Sequence, residues 1–370
     1  MDMQINEKKA CFATSPQGAD AKQAISIAAD IISKGGIAAF PTETVYGLGA
    51  DAANPTAVAR IYEAKGRPGD NPLILHVANA NDFGKLAANP PAYADALIKA
   101  FWPGPLTLVA AKNPSLPDWV GGHPKNIATT IGIRMPSHPM ALDLIKATGC
   151  YVAAPSANKA GTPSPTCAQH VELDFADGSI DYVLNGGAVP GGLESTVVDV
   201  TGDVPVILRP GAITGEMIAQ ATGLSPIISA EHHDKTAATP RAPGMKYRHY
   251  APKAPMTLLV GEEKGIAAYI KTQLNESPGR KIGVLVTAQT RSQLEAYNHA
   301  DLTAKPEYIT LGDKTSPETI AKNLYASLRQ FDILGVDEIY AEGHAQDGLG
   351  IAIMDRMKKA AEGRIIHVPN

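Results

Sequence analysis

The sequence has little cysteine, no long apolar run and no marked excess of either charge. Its three cysteines, Cys11, Cys150 and Cys167, show no metal-ligand spacing, so they predict neither a disulfide framework nor a zinc site. No apolar stretch reaches the roughly 18 residues that a membrane-spanning helix needs, and the N-terminal segment lacks the apolar core of a signal peptide. We therefore expect a cytoplasmic protein with no membrane association.

The formal net charge is −4, and neither part of the chain is strongly basic. Residues 1–245 hold 17 Lys and Arg against 22 Asp and Glu, a balance of −5, and residues 246–370 hold 16 against 15, a balance of +1. Strong polynucleotide binding needs clustered Lys and Arg, so this distribution argues against a double-stranded RNA binding module that works without catalysis. A local cationic pocket for a small anion remains compatible with these numbers.

The order of predicted elements indicates two α/β domains. Residues 21–215, after an N-terminal extension at 1–20, alternate many strand-like runs with fewer helices, which is typical of one large mixed sheet. Residues 225–255 hold five prolines and no sustained apolar period, and we place a linker at 216–255. Strands and amphipathic helices then alternate over 256–370, which predicts a small doubly wound domain. The clearest predicted helices cover 23–34, 55–65, 316–331 and 349–361.

Four segments place polar residues two apart inside or beside an apolar strand, where alternate residues share a face. The polar sets are Thr42 with Thr44, Lys65 with Arg67, Thr130 with Gly132 and Arg134, and Ser156 with Asn158. One such set is usually a solvated strand face. Four of them at strand ends beside Gly or Pro indicate a single polar cleft, since α/β sheets bind ligands at strand ends.

Four cations adjoin apolar strands, namely Lys65, Arg67, Arg134 and Arg209. Half-buried cations need anionic partners, which are either nearby acids such as Glu43 and Glu194 or an anionic ligand. Small residues in the turn after Lys65 and in the segments PSAN and GTPSP supply free N–H groups, as phosphate sites do, and this favours a polyphosphate ligand. Taken alone, His76 in the run LILHV is more typical of a buried core residue.

Several familiar motifs are missing or out of place. The chain has no G-x-x-x-x-G-K-[ST] loop and no G-x-S-x-G elbow. GLGADA (47–52) matches a dinucleotide fingerprint, but Pro55 predicts that the next helix begins later than the glycines require, and GLGIAI (348–353) lies too far from its strand. No carboxylate cluster resembles a metal cage, so Mg²⁺ is expected only on the phosphates of a ligand.

Eight segments together resemble the threonylcarbamoyl-adenylate synthases in their longer, two-domain form. They are PTETVYGLGADA, KGRPGDNPLILHV, FWPGPLTLV, IGIRMPSHP, APSANKAGTPSPT, LESTVVD, ILRPGAIT and APGMKYRHYAPKAP. The resemblance runs from about residue 22 to the end. It implies a YrdC-like catalytic domain with a twisted mixed sheet, a linker, and a small Rossmann-like domain.

The resemblance also implies a reaction. L-threonine, bicarbonate or CO₂, and ATP would give L-threonylcarbamoyl-AMP and diphosphate, a nucleotidyltransferase step with Mg²⁺ accompanying ATP. The product would serve threonylcarbamoyl-adenosine modification of tRNAs that read ANN codons, with a partner transferase completing the step. Any direct contact with tRNA is expected to be weak.

The resemblance implies a role for each matched position. Lys65 and Arg67 are the K-x-R pair, expected to hold the triphosphate and to be catalytic. The implied ATP contacts are Lys65, Arg67, Asn71, Thr130, Ser156, Asn158, Ser164, Arg209 and Tyr250. The implied threonine contacts are Thr44, His76, Arg134, Ala154 and Ser195, with Arg134 facing the carboxylate. Tyr247 and Tyr250 lie in the linker motif, which in this family folds back over the cleft as a lid.

Two alternatives stay open beside this one. A carbamoyl transferase for hydrogenase maturation shares the YrdC-type domain, but such proteins carry acylphosphatase and zinc-finger segments, and this chain has no C-x-x-C pair. The C-terminal domain is also a candidate site for a separate nucleotide regulator, although a scaffold that docks the linker is the simpler expectation.

Overall fold

The computed structural model describes residues 11–12, 19–229, 249–295 and 304–369, and the chain divides into two compact units. The first unit comprises Met1–Ala160, Pro165–Pro190 and Glu194–Lys246. The second comprises Gly161–Ser164, Gly191–Leu193 and Tyr247–Asn370. Two short segments of the predicted catalytic domain thus belong to the second unit, and the sequence-based boundaries remain predictions.

The first unit is built on one large mixed sheet. Its strands are β1 (Cys11–Phe12), β2 (Ala38–Phe40), β3 (Gly47–Asp51), β4 (Ile74–His76), β5 (Leu106–Ala111), β6 (Thr130–Arg134), β7 (Val152–Ala154), β8 (Tyr182–Val183), β9 (Thr196–Asp199), β10 (Val206–Arg209) and β11 (Ile227–Ile228). Their order is β1-β8-β2-β3-β7-β4-β6-β5-β9-β10-β11. Because β4 pairs in parallel with β6 but antiparallel with β7, the sheet is mixed, as predicted.

Seven α-helices accompany this sheet among the described residues. They are α1 (Ala19–Ser33), α2 (Pro55–Lys65), α3 (Phe83–Leu86), α4 (Ala92–Phe101), α5 (Pro139–Thr148), α6 (Ala168–Asp174) and α7 (Gly215–Thr222), with a 3₁₀ turn at Ala80–Asp82. None of the helices in the described parts of the chain is long and apolar enough to cross a membrane.

Helix α2 shows how local sequence places the first candidate residue. The Asn54 side chain accepts hydrogen bonds from the backbone N–H groups of Thr56 and Ala57, and Pro55 occupies the first turn. The helix ends because Gly66 adopts a left-handed conformation with φ = 61°, which glycine adopts without steric cost. Lys65 is therefore the last residue of the helix, which confirms the predicted bounds.

The two faces of the sheet are covered differently. Leu75, Ile131 and Ile133 point to the face that forms the main apolar core. The alternate residues Ile74, His76 and Arg134 point the other way, since successive strand residues alternate. Toward β2, β3 and β7, this second face is covered by α1 and α5 through a separate apolar cluster. The predicted site residues His76, Arg134 and Ala154 lie on the second face.

The second unit contains a fully parallel sheet. Its strands are β12 (Met256–Val260), β13 (Ile282–Val286), β14 (Glu307–Thr310), β15 (Glu338–Glu342) and β16 (Ile365–His367), in the order β14-β13-β15-β12-β16. Its helices are α8 (Glu263–Glu276), α9 (Ala288–Glu295), α10 (Pro317–Leu334) and α11 (Gly348–Ala360). A parallel sheet with helical crossovers confirms the predicted doubly wound, Rossmann-like architecture.

Three elements differ from the sequence-based expectation. The segment GLGAD, which matches part of a dinucleotide fingerprint, forms strand β3. Helix α7 and strand β11 form inside the range predicted as linker. Helix α7 could have been predicted from local sequence signals. The Thr214 hydroxyl accepts a hydrogen bond from Met217 N at the start of the helix, and Gly223 ends it with φ = 71°.

Candidate active site

The ammonium group of Lys65 joins the end of α2 to the loop that follows β7. Lys65 is 2% exposed, and its Nζ donates hydrogen bonds to the carbonyl oxygens of Ser156 at 2.6 Å and Asn158 at 2.5 Å. The Lys65 carbonyl oxygen in turn accepts a hydrogen bond from Ala160 N at 2.8 Å. The structure thus brings together three of the predicted ATP contacts.

The side chains of Ser156 and Asn158 converge, as their spacing predicts. Ser156 Oγ donates to Asn158 Oδ1 at 2.5 Å, and Asn158 Nδ2 donates to the Lys159 carbonyl at 2.9 Å. The loop is fixed to the sheet because Ser156 forms a bridge with Gly47 and Ala157 N donates to the Tyr46 carbonyl. The result is a polar cluster that contains the buried positive charge of Lys65.

Arg67 contacts the turn that follows it rather than the loop at 156–158. Its Nε donates to the Asn71 carbonyl at 3.2 Å, and its Nη2 donates to the Pro72 carbonyl at 2.8 Å. The Tyr62 hydroxyl also donates to the Asn71 carbonyl, at 3.0 Å. Asn71 is buried, and no described residue donates to its Oδ1. The two cations of the K-x-R pair therefore contact different backbone segments: Lys65 contacts the loop at 156–158, and Arg67 contacts the turn that follows it.

A cavity of about 390 Å³ lies beside this turn. Asp70, Pro72 and Ile74 line one side, and Thr130 and Gly132 of β6 contribute to its floor, with the loop at 121–129 completing the wall. Thr130, a predicted ATP contact, therefore faces the same hollow as the turn that Arg67 closes.

Strand register assembles the predicted threonine contacts His76, Arg134 and Ala154. The parallel pairing of β4 with β6 sets His76 opposite Arg134. The antiparallel pairing of β4 with β7 sets Ile74 opposite Ala154. Since residues two apart on a strand share a face, all three predicted contacts lie on the same face of the sheet.

Arg134 is buried and forms an ion pair with Glu43. Its Nη2 donates to Glu43 Oε1 at 2.7 Å, while Glu43 Oε2 accepts a hydrogen bond from Ser137 N at 3.1 Å. Burial by itself would raise the pKa of Glu43, but the charge and hydrogen bond of Arg134 outweigh it, and the pKa of Glu43 is lowered. The pair is therefore ionised at neutral pH.

His76 is held in the neutral form. Burial, followed by the nearby charge of Arg134, lowers the pKa of His76 to about 3. Its Nδ1 lies 3.2 Å from the Ile74 carbonyl oxygen, which can only accept, so we assign the proton of the neutral ring to Nδ1. The ring also meets Phe40 edge-on, with centroids 5.9 Å apart. His76 is thus as buried as a core residue, yet it lies beside Arg134.

Thr44 belongs to a turn organised by the Thr42 hydroxyl. Thr42 Oγ1 accepts a hydrogen bond from Thr44 N at 3.1 Å and donates to the Val45 carbonyl at 2.6 Å. The two threonine hydroxyl oxygens lie 2.9 Å apart. The pair inferred from sequence is therefore in contact.

Ser195 and Arg209 form a second polar cluster on neighbouring strands. Arg209 donates to the Ser195 carbonyl from Nε at 3.1 Å and from Nη2 at 3.0 Å. The Ser195 hydroxyl lies 2.8 Å from the Thr107 hydroxyl. Sequence reasoning missed Thr107, because a threonine inside a strand such as PLTLV carries no signal of its own.

Ser164 and Tyr250 belong to the second unit. Both are buried, and Tyr250 stacks on Tyr325 with ring centroids 5.3 Å apart. In the same unit Arg329 Nη2 donates to the Pro163 carbonyl at 2.5 Å. Tyr247 lies outside the described residues. The roles of Ser164, Tyr247 and Tyr250 in binding or closure stay predictions.

Comparisons with known proteins identify the family. The family model Sua5_yciO_yrdC, described as "Telomere recombination", matches residues 30–211, and the model Sua5_C, described as "Threonylcarbamoyl-AMP synthase, C-terminal domain", matches residues 213–362. The threonylcarbamoyl-AMP synthase of Bacillus subtilis is 44% identical over 92% of this chain and 94% of its own length. That of Pyrococcus abyssi is 45% identical over 93% of this chain and 96% of its own. The chain belongs to the threonylcarbamoyl-AMP synthase family.

Solved structures agree with this threonylcarbamoyl-AMP synthase assignment. The crystal structure of P. abyssi Sua5 complexed with L-threonine is 44% identical, with a TM-score of 0.83 over 94% of this chain and 97% of that chain. A doubly substituted P. abyssi Sua5 gives a TM-score of 0.86 over 97% and 98%. These similarities confirm the two-domain form and the predicted fold, while the role of each residue stays a prediction.

No group of three or more His, Cys, Asp or Glu side chains in the described ranges is arranged to hold a metal ion. Glu43, an acid beside the candidate threonine contact Arg134, already accepts hydrogen bonds from Arg134 and Ser137. The donor set of this threonylcarbamoyl-AMP synthase family member is therefore rich in cations and hydroxyls, which suits an anionic ligand better than a protein-held metal.

Proposed function

We propose that this chain is an L-threonylcarbamoyl-AMP synthase, which condenses L-threonine, bicarbonate or CO₂, and ATP to L-threonylcarbamoyl-AMP and diphosphate. The observation that carries the proposal is the register of β4, β6 and β7, which gathers His76, Arg134 and Ala154 on one face. Family membership supplies the reaction class. The geometry supports separate places for the two substrates, with threonine on this face and ATP beside the K-x-R turn and the loop after β7.

Threonine is assigned to the Arg134 end of this face. Arg134 would bind the carboxylate, because a guanidinium matches that group in shape and charge. Neutral His76 offers a hydrogen-bond acceptor at Nε2, which suits an ammonium or hydroxyl donor. Thr44 and Ser195 supply hydroxyl groups, and the small side chain of Ala154 leaves space on the sheet.

ATP is assigned to the rim formed by the K-x-R turn and the loop after β7. Lys65, with its buried ammonium, and Arg67 would neutralise the triphosphate. Asn158 would donate its second amide N–H to a phosphate oxygen, and the Ser156 hydroxyl would turn from Asn158 to donate to another. Thr130 lines the 390 Å³ cavity, and Asn71 lies in the chain between its lining residues Asp70 and Pro72; both would contact the nucleoside. Arg209, Ser164 and Tyr250 complete the set of proposed ATP contacts.

The chemistry needs charge neutralisation more than acid–base groups. The threonine amine would add to CO₂, losing a proton and forming a carbamate. A carbamate oxygen would then attack the α-phosphorus, the bond to the bridging oxygen would break, and diphosphate would leave. Positioned cations stabilise the charge that develops on the phosphates, which is the main requirement of such a transfer.

Mg²⁺ would reach the site on the ATP phosphates and add to this charge neutralisation. The residues present fit that arrangement, because Lys65 and Arg67 occupy the rim and the nearby carboxylate of Glu43 is already engaged. Chelation should therefore abolish the rate without changing the thermal midpoint of the protein alone.

The remaining elements of the proposal concern the surroundings of the reaction. Segment 240–252, with Tyr247 and Tyr250, would act as the lid that protects the unstable carbamate from water. The product would pass to a partner transferase in the cytosol for tRNA modification. Contact with tRNA itself would be weak, because the first 245 residues carry a balance of −5.

Mass spectrometry of a reaction with ATP, threonine and isotopically labelled bicarbonate tests the function. We expect a product with the mass of threonylcarbamoyl-AMP that carries the label, with diphosphate in equal amount. A chain that instead consumes carbamoyl phosphate, or forms no adenylate from these three substrates, would refute the proposal. A salt-dependent gel shift with tRNA or duplex RNA would favour the RNA-binding alternative.

A further inference from the structure

We propose that Glu43 is a positioning residue, which orients Arg134 for the carboxylate of threonine. The inference rests on the proposed function, since it takes Arg134 as the group that binds this carboxylate. Glu43 itself has no assigned part in binding or catalysis.

The contact differs from an ordinary surface ion pair. The side chains of Arg134 and Glu43 are 5% and 13% exposed, so neither charge is well screened by water. Glu43 uses one carboxylate oxygen for Arg134 and the other for the backbone N–H of Ser137. Because both oxygens are held, the carboxylate has a fixed direction and fixes the guanidinium in turn.

The backbone around Glu43 is held just as firmly. The Thr42 hydroxyl bonds to the backbone of Thr44 and Val45, which closes a turn with Glu43 inside it. Thr44 is a proposed threonine contact, and Arg134 is another. Glu43 therefore links two proposed contacts that lie 90 or more residues apart in the chain.

The remaining donors of Arg134 explain why orientation matters. Nη2 points to Glu43, and Nε makes only a long contact of 3.4 Å with the Gly104 carbonyl. The described residues provide no acceptor for Nη1. A guanidinium held at Nη2 can thus offer its Nη1 edge to a carboxylate without first leaving another partner.

Glu43 also balances the buried positive charge of Arg134. A buried charge left without a partner is costly, and a long side chain escapes the cost by turning toward water. The lowered pKa of Glu43 agrees with a carboxylate that remains ionised beside Arg134. The Arg134–Glu43 pair then carries no net charge before threonine binds.

Steady-state kinetics of Glu43→Ala and Glu43→Gln test the inference. We expect Glu43→Ala to raise KM for threonine at least about 30-fold, the change associated with truncating one member of a buried charge pair, while KM for ATP stays within about twofold. Glu43→Gln retains an oxygen that accepts the Arg134 N–H but loses the charge and the second acceptor, so it should recover only part of the loss and leave an intermediate rise in KM for threonine. Should Glu43→Ala fail to fold, threonine calorimetry on Glu43→Gln still decides, because we expect weaker binding of threonine alone.

A double-mutant cycle with Arg134→Ala separates positioning from general support. If Glu43 acts through Arg134, Glu43→Ala should add less than about twofold to the threonine KM in the Arg134→Ala background. Additive losses, equal losses for ATP and threonine, or tighter threonine binding in Glu43→Ala would each overturn the inference. If Arg134→Ala alone leaves threonine binding intact, the proposed threonine site fails instead.

Asp181 offers a matched control. Its carboxylate likewise accepts hydrogen bonds from an arginine, Arg60, and from a backbone N–H, that of Ile37, both at 2.8–2.9 Å. Asp181→Asn should leave KM for threonine unchanged. A rise equal to that of Glu43→Gln would show that loss of any such carboxylate perturbs the site, and would overturn the inference.

Discussion

Lys65 donates a 2.6 Å hydrogen bond to the carbonyl oxygen of Ser156, which lies 91 residues further along the chain. The bond fixes the end of helix α2 to the loop after β7. Because a buried ammonium prefers anionic or strongly polar partners, the two carbonyl oxygens hold the charge in place.

Removing the ammonium should therefore stop the reaction. For Lys65→Ala we expect the rate of diphosphate release, with threonine and bicarbonate present, to fall by 100-fold or more, since a positioned donor of this kind contributes roughly 3 kcal/mol to the transition state. Lys85→Ala serves as the control, because Lys85 is exposed and pairs with Asp82 on the surface. A near-normal rate for Lys65→Ala would remove Lys65 from the site.

Two glycines should respond to alanine in opposite directions. Gly66 has φ = 61° and open space around it, so Gly66→Ala should cost about 1 kcal/mol of unfolding free energy through backbone strain alone. Gly84 lies within α3, also in open space, so Gly84→Ala should stabilise the protein by up to about 1 kcal/mol. Urea denaturation of both variants measures the difference, and shifts of the same sign would contradict this account.

The buried neutral form of His76 should make stability depend on pH. The unfolded chain takes up a proton at His76 near pH 6.5, whereas the folded protein, with a pKa of about 3, does not. The unfolded state therefore binds more protons between these values, and stability should fall as pH is lowered from about 6.5 toward 3, by up to about 1.4 kcal/mol per pH unit.

Comparison with His76→Gln isolates that contribution from other titrating groups. Denaturant unfolding at pH 7, 6 and 5 should show a flatter pH dependence in the variant than in the parent chain. Parallel curves for the two proteins would mean that the pKa of His76 is the same in the folded and the unfolded state.

The Thr107 hydroxyl should matter although it is only a partner of Ser195. Thr107→Val keeps the shape but removes the 2.8 Å contact with the Ser195 hydroxyl, and one such hydrogen bond is worth about 0.5–1.5 kcal/mol. We expect kcat/KM for threonine to fall about 2- to 12-fold. Thr148→Val, at a buried hydroxyl that bonds to the backbone of Ile145 and Cys150, is the control. Equal losses in both would point to a general packing effect.

Much of the candidate site could be predicted from local sequence rules. Asn54, Pro55 and Gly66 fixed the bounds of α2, and so placed Lys65 at a helix end. The spacing of Ser156 and Asn158 predicted side chains on one side of the chain, and they are in contact. These features depend on neighbours in sequence, for which local steric and hydrogen-bond preferences are strong.

The remaining features depend on which strands become neighbours. His76 lies beside Arg134 on one face of the sheet only because β4 lies between β7 and β6. No local sequence pattern encodes this strand order. For the same reason Glu43 could be seen as a nearby acid but not as the specific partner of Arg134. Without the family resemblance, the run LILHV predicts only an ordinary core residue at His76.

The membership of Gly161–Ser164 and Gly191–Leu193 in the second unit affects how the protein can be dissected. Arg329 caps the Pro163 carbonyl, and Gly192 has no room for a side chain against the backbone of Lys322. A shortened chain that stops at residue 246 would expose that carbonyl and that glycine to solvent. Truncation at the linker is therefore a poor way to obtain an independent catalytic fragment, and its activity would understate that of the intact chain.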